Sequence, residues 1–121
     1  MKLYNPYSKY HTAQKEDRTL DGILFASKLE MTRYGQLKLL QNGEQIKRLE
    51  LQPRFVIARG IQGHRTAYYV ADFKYFDCKT STEVVEEVKG YETQIYRLKA
   101  HLFKLNYPEF DFRVLFPEDI L

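Results

Sequence analysis

Residues 68–90 read YYVADFKYFDCKTSTEVVEEVKG, from Tyr68 to Gly90. Two runs rich in aromatic and β-branched residues flank a polar turn from Cys78 to Thr82, the pattern of paired strands. Asp72 follows the apolar run Tyr68–Ala71, and the second run, Glu83–Lys89, closes on Glu87-Val88-Lys89 before Gly90. Strand side chains alternate, so Val85, Glu87 and Lys89 share one face while Val84, Glu86 and Val88 share the other. Glu87 and Lys89 then stand about 6 to 7 Å apart along the strand. If the strands pair, Asp72 reaches the same spot. Two carboxylates and an ammonium converging there have the donors to hold a divalent cation beside a phosphate.

An acid-x-lysine triplet selects little by itself, because Asp72-Phe73-Lys74 and Asp77-Cys78-Lys79 have the same form. Context singles out Glu87-Val88-Lys89, which ends an apolar β-branched strand and follows a strand that bears an acid. The arrangement resembles the active site of PD-(D/E)xK nucleases, with Ala71-Asp72 in the first motif and Glu87-Val88-Lys89 in the second. The proline of the named motif is absent here. The structural alternative is an ion-pair cluster in which Lys89 neutralises Glu87 and Asp72.

Length and composition set the frame. A chain of 121 residues with 44% hydrophobic and 15% aromatic residues makes one domain with a real core. The single cysteine, Cys78, has no partner for an internal disulfide, which suits a reducing cytoplasm. No apolar run approaches 18 residues and the start, MKLYNPYSKY, lacks a signal-peptide core, so no membrane partner is expected. The net charge of +3 is modest, but the surface becomes distinctly basic once a metal occupies the acidic cluster. His11, His64 and His101 are scattered, which argues against zinc. Cys78 has no evident base beside it, and no P-loop, dinucleotide fingerprint or serine elbow occurs.

Residues 1–20, with Asn5-Pro6 and no sustained periodicity, read as a flexible arm, and 21–121 as the domain. The arm's Lys2, Lys9, His11, Lys15 and Arg18 interleave with Tyr4, Tyr7 and Tyr10. That pattern fits an arm tracking a nucleic-acid backbone or a solvated tail. Asp21-Gly22 forms a turn. Ser27 caps a helix over Lys28–Gln41, with Glu30 completing a capping box and Asn42-Gly43 ending it. Glu30 shares the core-facing stripe of Tyr34, Leu37 and Leu40. Its partner is either the helix N-terminus or a metal or lysine at the sheet, and both are open.

Gln45–Ile57 reads as extended with a bend or bulge at Pro53, and His64–Phe76 as one strand carrying Asp72. Thr93 caps a second helix over Gln94–Asn106, whose buried face is expected to be Ile95, Leu98, Leu102 and Leu105. That leaves Tyr96, Arg97 and Lys99, with Lys74 on the sheet, as candidates for contacting nucleic acid. A last strand spans Asp111–Phe116.

The order helix, three strands, helix, strand (αβββαβ) is that of the restriction-endonuclease-like core, an α/β (α+β) fold with a central mixed sheet flanked by helices. The phrases FASKLEMTRYGQLKLL, LELQPRF, YVADFKY, VVEEVKG and YRLKAHLFKLNYPEFDFRV also resemble a compact family of unknown function, encoded mainly by bacteriophages and grouped with PD-(D/E)xK endonucleases. The resemblance covers roughly residues 20–115. It implies that Glu30, Asp72, Glu87 and Lys89 form a nuclease site. Asp72, Glu87, the Val88 carbonyl and Glu30 would hold Mg²⁺, with Mn²⁺ as a substitute. It also implies DNA as substrate, a phage replication or recombination role in the host cytoplasm, and a homodimer where both strands are cut. The rival is a binding or adaptor module on the same fold without turnover.

Overall fold

The structure, a computed structural model, describes residues 13–121. Most of the expected arm, including His11 and the three tyrosines, lies outside the described residues. The part that falls inside is folded. Lys15–Arg18 form a 3₁₀ turn, and β1 (Thr19–Leu20) pairs with β2 (Ile23–Leu24) across Asp21-Gly22. Both turn residues have positive φ, +54° and +75°, as a two-residue hairpin turn requires. Arg18 fastens this hairpin by donating from Nη1 to the Phe25 carbonyl at 2.7 Å.

Helix α1 spans Lys28–Asn42 and starts with the Ser27 hydroxyl accepting from the Glu30 N–H at 3.1 Å; the expected capping box is not completed, because the Glu30 side chain does not return to the Ser27 N–H. A four-stranded sheet follows in the order β3 (Ile46–Leu51), β6 (Phe73–Asp77), β7 (Thr82–Val88), β8 (Asp111–Leu115). The first three are antiparallel neighbours, and β8 runs parallel to β7. The molecule is therefore an α+β protein with a mixed sheet between helices.

The expected single strand His64–Phe76 is two strands in different sheets. Strand β5 (Ala67–Val70) pairs with β4 (Arg54–Ala58), while β6 belongs to the central sheet. The break arises because two strands bend together. Pro53, which lacks an N–H, turns the β3–β4 stretch. The partner stretch stays bonded to it, Ala71 N donating to Pro53 O at 3.1 Å and Gln52 N to Asp72 O at 2.9 Å. Asp72 sits on this corner, and its N–H reaches Glu86 O at 3.2 Å to begin the β6–β7 ladder.

Both faces of the sheet are buried. On one, Tyr34 and Leu37 of α1 pack against Ile46, Phe73, Tyr75 and Val84. On the other, helix α2 (Gln94–Asn106) and the β4–β5 ribbon pack against Val85 and Phe112. The expected inner face of α2 is overturned at three of its four positions; Leu102 is half-buried and packs against the core. Ile95, Leu98 and Leu105 are 71%, 60% and 64% exposed, whereas Tyr96, Ala100 and Phe103 are buried. The small Ala100 lets the helix approach closely, and Phe103 meets Phe55, Tyr69, Tyr107 and Phe112 at centroid distances of 4.8 to 5.4 Å. Contacts among rings outweigh the aliphatic stripe. A short helix α3 (Pro117–Ile120) closes the chain against α1, where Gln36 Nε2 donates to Ile120 O at 2.7 Å.

Candidate active site

The alternation along β7 divides its two central glutamates between opposite faces. Glu86 faces α1 and is fully buried. Arg33 grips it with two parallel bonds, Nε–Oε1 at 2.6 Å and Nη2–Oε2 at 3.0 Å, and the Tyr75 hydroxyl donates to Oε2. This charge is fully satisfied and serves to fix α1 on the sheet. Neither Arg33 nor Glu86 stood out in the sequence, because a contact across 53 positions leaves no local periodicity.

Glu87 faces α2 and is 5% exposed. Its Oε2 accepts from the Tyr69 hydroxyl at 2.8 Å, and Lys89 Nζ stands 3.2 Å from Oε1. Lys89 also lies 4.3 Å from the centroid of the Tyr96 ring, so a buried aromatic floor orients the ammonium. Asp72, across the strand pair, accepts the Val88 N–H on Oδ2 at 2.7 Å. Glu30, in the first turn of α1, is 6% exposed and within electrostatic reach of Glu87 and Lys89. The four sequence-selected residues, Glu30, Asp72, Glu87 and Lys89, thus meet at one end of the β6–β7 pair. Val88 enters the cluster through its N–H.

Three carboxylates crowd one ammonium, and their protonation shows the strain. Burial, then the charges of Glu87 and Glu30, push Asp72 up to about 8, against the pull of the Val88 N–H and Lys89. Burial raises Glu87 against the bonds from Tyr69 and Lys89. Burial and Glu87 together raise Glu30. Burial beside Glu87 likewise drives the Tyr69 hydroxyl far above its ordinary value, so it stays a donor. The surplus of negative charge suits a bound cation, and carboxylate oxygens are the donors Mg²⁺ prefers. Among the described residues, no three His, Cys, Asp or Glu side chains are grouped as a metal ion would need them. Lys89 and Tyr69 engage the two Glu87 oxygens, and the Val88 N–H engages Oδ2 of Asp72.

The residues proposed for nucleic acid do not converge. Tyr96 is buried beneath Lys89 rather than presented for stacking. Arg97 is exposed and paired with Glu92 at 3.1 Å, and Lys99 is exposed on the same helix. Arg97 rims a groove shared with His101, Lys104 and Phe112, which begins at Tyr96. Lys74 lies 3.6 Å from Glu83 and 5.8 Å from the Phe110 ring centroid, on the sheet face of Val85 and Glu87 but beside Glu83, toward the other end of β7.

Fold and site together define an α+β protein whose central strand pair ends in a buried carboxylate–lysine cluster. A family model described as a protein of unknown function, DUF1064, matches residues 7–116, and the chain belongs to that family. No curated protein and no solved structure matches the chain.

Proposed function

We propose that the protein is a metal-dependent endodeoxyribonuclease that hydrolyses DNA phosphodiester bonds on a restriction-endonuclease-like arrangement of strands. One observation carries the reading: Glu30, Asp72 and Glu87, all held above the ordinary carboxylate range, converge with Lys89 at one strand end. Asp72 and Glu87 would hold Mg²⁺, with Glu30 and the Val88 carbonyl as further ligands. Bound there, the cation would supply charge neutralisation on the phosphate and a water of lowered pKa. The chain's own residues do the rest. Lys89, steadied over Tyr96, orients the attacking water and neutralises charge developing on the phosphate. Tyr69 fixes the Glu87 carboxylate, and the Val88 N–H fixes that of Asp72.

A single small domain has little surface for reading a long sequence, which favours branched, flapped or junction DNA as substrate. Phage recombination or replication is the process this suits, and a homodimer would supply a second site for a second strand. The alternative, a nucleic-acid-binding or adaptor module without turnover, is favoured by one feature. Lys89 already neutralises Glu87, so the cluster is in part self-contained.

Cleavage of matched linear, flapped and four-way-junction DNA in Mg²⁺, Mn²⁺ or EDTA tests the proposal. Metal-dependent cleavage by the wild type, lost in Asp72→Asn, Glu87→Gln and Lys89→Ala with folding retained, is the expected result. Cleavage that survives in these variants refutes the site. Binding without cleavage in every condition selects the module.

A further inference from the structure

Residues 53–71 contain Arg54, Arg59 and Arg65 but none of the chain's sixteen acids. Elsewhere sixteen basic residues face sixteen acidic ones, so the net charge of +3 is the charge of this one segment. The segment is the β4–β5 ribbon and its tip. Its inner face is closed by α2: Phe55, Ile57 and Tyr69 pack there, Asn106 Nδ2 donates to Ile57 O at 3.1 Å, and the Tyr107 hydroxyl to Val56 O at 2.9 Å. Its outer face carries Arg54, whose guanidinium lies 3.6 Å over the Tyr68 ring, and the half-exposed Val70.

The tip is built rather than loose. His64 N donates to Ile61 O at 2.8 Å across a turn with Gly63 at φ +84°, the geometry of a type II turn. Gly60 donates to the Thr66 hydroxyl at 3.0 Å, and the backbone passes so close that a Cβ there would stand 2.6 Å from His64 O. This frame holds Ile61 out at 73% exposure between Arg59 and Arg65, both exposed.

An isoleucine presented to solvent at the end of a rigid, acid-free ribbon contributes nothing to the core. The combination matches what duplex nucleic acid asks of a protein. Arginines neutralise phosphates, an apolar side chain meets the bases, and a two-stranded ribbon fits the major groove. We propose that the β4–β5 ribbon is a duplex-DNA arm: Arg59 and Arg65 contact backbone phosphates, Ile61 contacts the bases between them, and the ribbon's root leads to Asp72. From Ala71 the ribbon reaches on the order of 20 Å at about 3.3 Å per residue. At about 3.4 Å per base pair the tip contact falls roughly six base pairs from the carboxylates. The inference rests on nucleic acid being the partner, and not on turnover.

Fluorescence anisotropy with a labelled two-turn DNA duplex in EDTA, over a series of salt concentrations, tests it without cleavage. Arg59→Gln/Arg65→Gln should lower the slope of log affinity against log salt by about two and weaken binding on the order of tenfold. Lys28→Gln/Lys79→Gln removes the same charge from exposed sites elsewhere and should change binding far less. Ile61→Ser should weaken binding while leaving the salt slope unchanged, because it removes an uncharged contact. Equal losses in the two charge pairs would overturn the arm, as would ribbon variants that bind like the wild type. Absence of binding by the intact protein would overturn the nucleic-acid reading itself. Cleavage with unchanged ribbon-variant binding would overturn the arm alone.

Discussion

Arg33→Met should be among the most damaging single substitutions in this protein, although Arg33 touches neither the carboxylate cluster nor the ribbon. The change removes two charge-assisted bonds and leaves Glu86, with no exposed surface, held by the Tyr75 hydroxyl alone. Removing one partner of a buried ion pair costs about 3 to 5 kcal/mol. The Arg33 side chain is 16% exposed, so some water can enter, and the lower end, about 3 kcal/mol, is the expected cost. Total stability for a chain of this length is about 6 to 18 kcal/mol, so the loss is a large fraction of it. Urea titration at neutral pH measures the loss directly, and the thermal midpoint should fall by roughly 10 °C. The triple change Arg33→Met/Glu86→Leu/Tyr75→Phe removes the buried charge with both of its partners, and should return to within about 1 kcal/mol of wild type, since only the half-buried Gln36, which water can reach, loses its bond to Arg33. A single variant losing less than about 1 kcal/mol, or a triple variant no better than the single, would refute the reasoning.

Two further outcomes follow from the cluster and from α2. Asp72 holds its proton up to about 8 when folded, against 3.8 for the free carboxyl. The folded state therefore keeps a proton that the unfolded chain has released, and stability declines as pH rises from about 4 to about 8. Asp72→Asn cannot ionise, so in EDTA it should gain on the wild type across that window, reaching on the order of 2 kcal/mol at pH 8. Melting curves that run parallel from pH 5 to 8 would contradict this. On α2, Phe103→Ala should cost about 3 to 5 kcal/mol by opening the aromatic core, whereas Leu98→Ala should stay within about 0.5 kcal/mol. Denaturant midpoints of the two variants would expose any error in the helix's orientation.

The carboxylate–lysine cluster was more legible than the fold around it. Asp72, Glu87 and Lys89 follow from period-two alternation and a strand end, and Glu30 from its place on the α1 stripe beside a serine cap. What the residue pattern did not carry was the corner at Asp72. Tyr68–Phe76 carries no turn residue or break between its apolar run and Phe76, and the bend is imposed by Pro53 on the partner strand, nineteen positions earlier. Helix α2 misled for another reason. It carries two apolar faces at helical spacing, and only the tertiary supply of rings from Phe55, Tyr69, Phe110 and Phe112 decides between them. Glu86 next to Glu87 looked like a repeated acid, yet one anchors a helix and the other belongs to the cluster.

The corner has one more consequence. Gln52 N–H and Ala71 N–H donate across it and Asp72 N–H donates onward to Glu86 O, so the ladder runs unbroken from the ribbon into the central sheet. A ribbon that opened by local unfolding would have to unzip through Asp72, because no unbonded hinge separates the two. Amide hydrogens of β4, β5 and β6 should therefore exchange as one cooperative unit. Whatever steadies the tip of the ribbon steadies the carboxylates at its root.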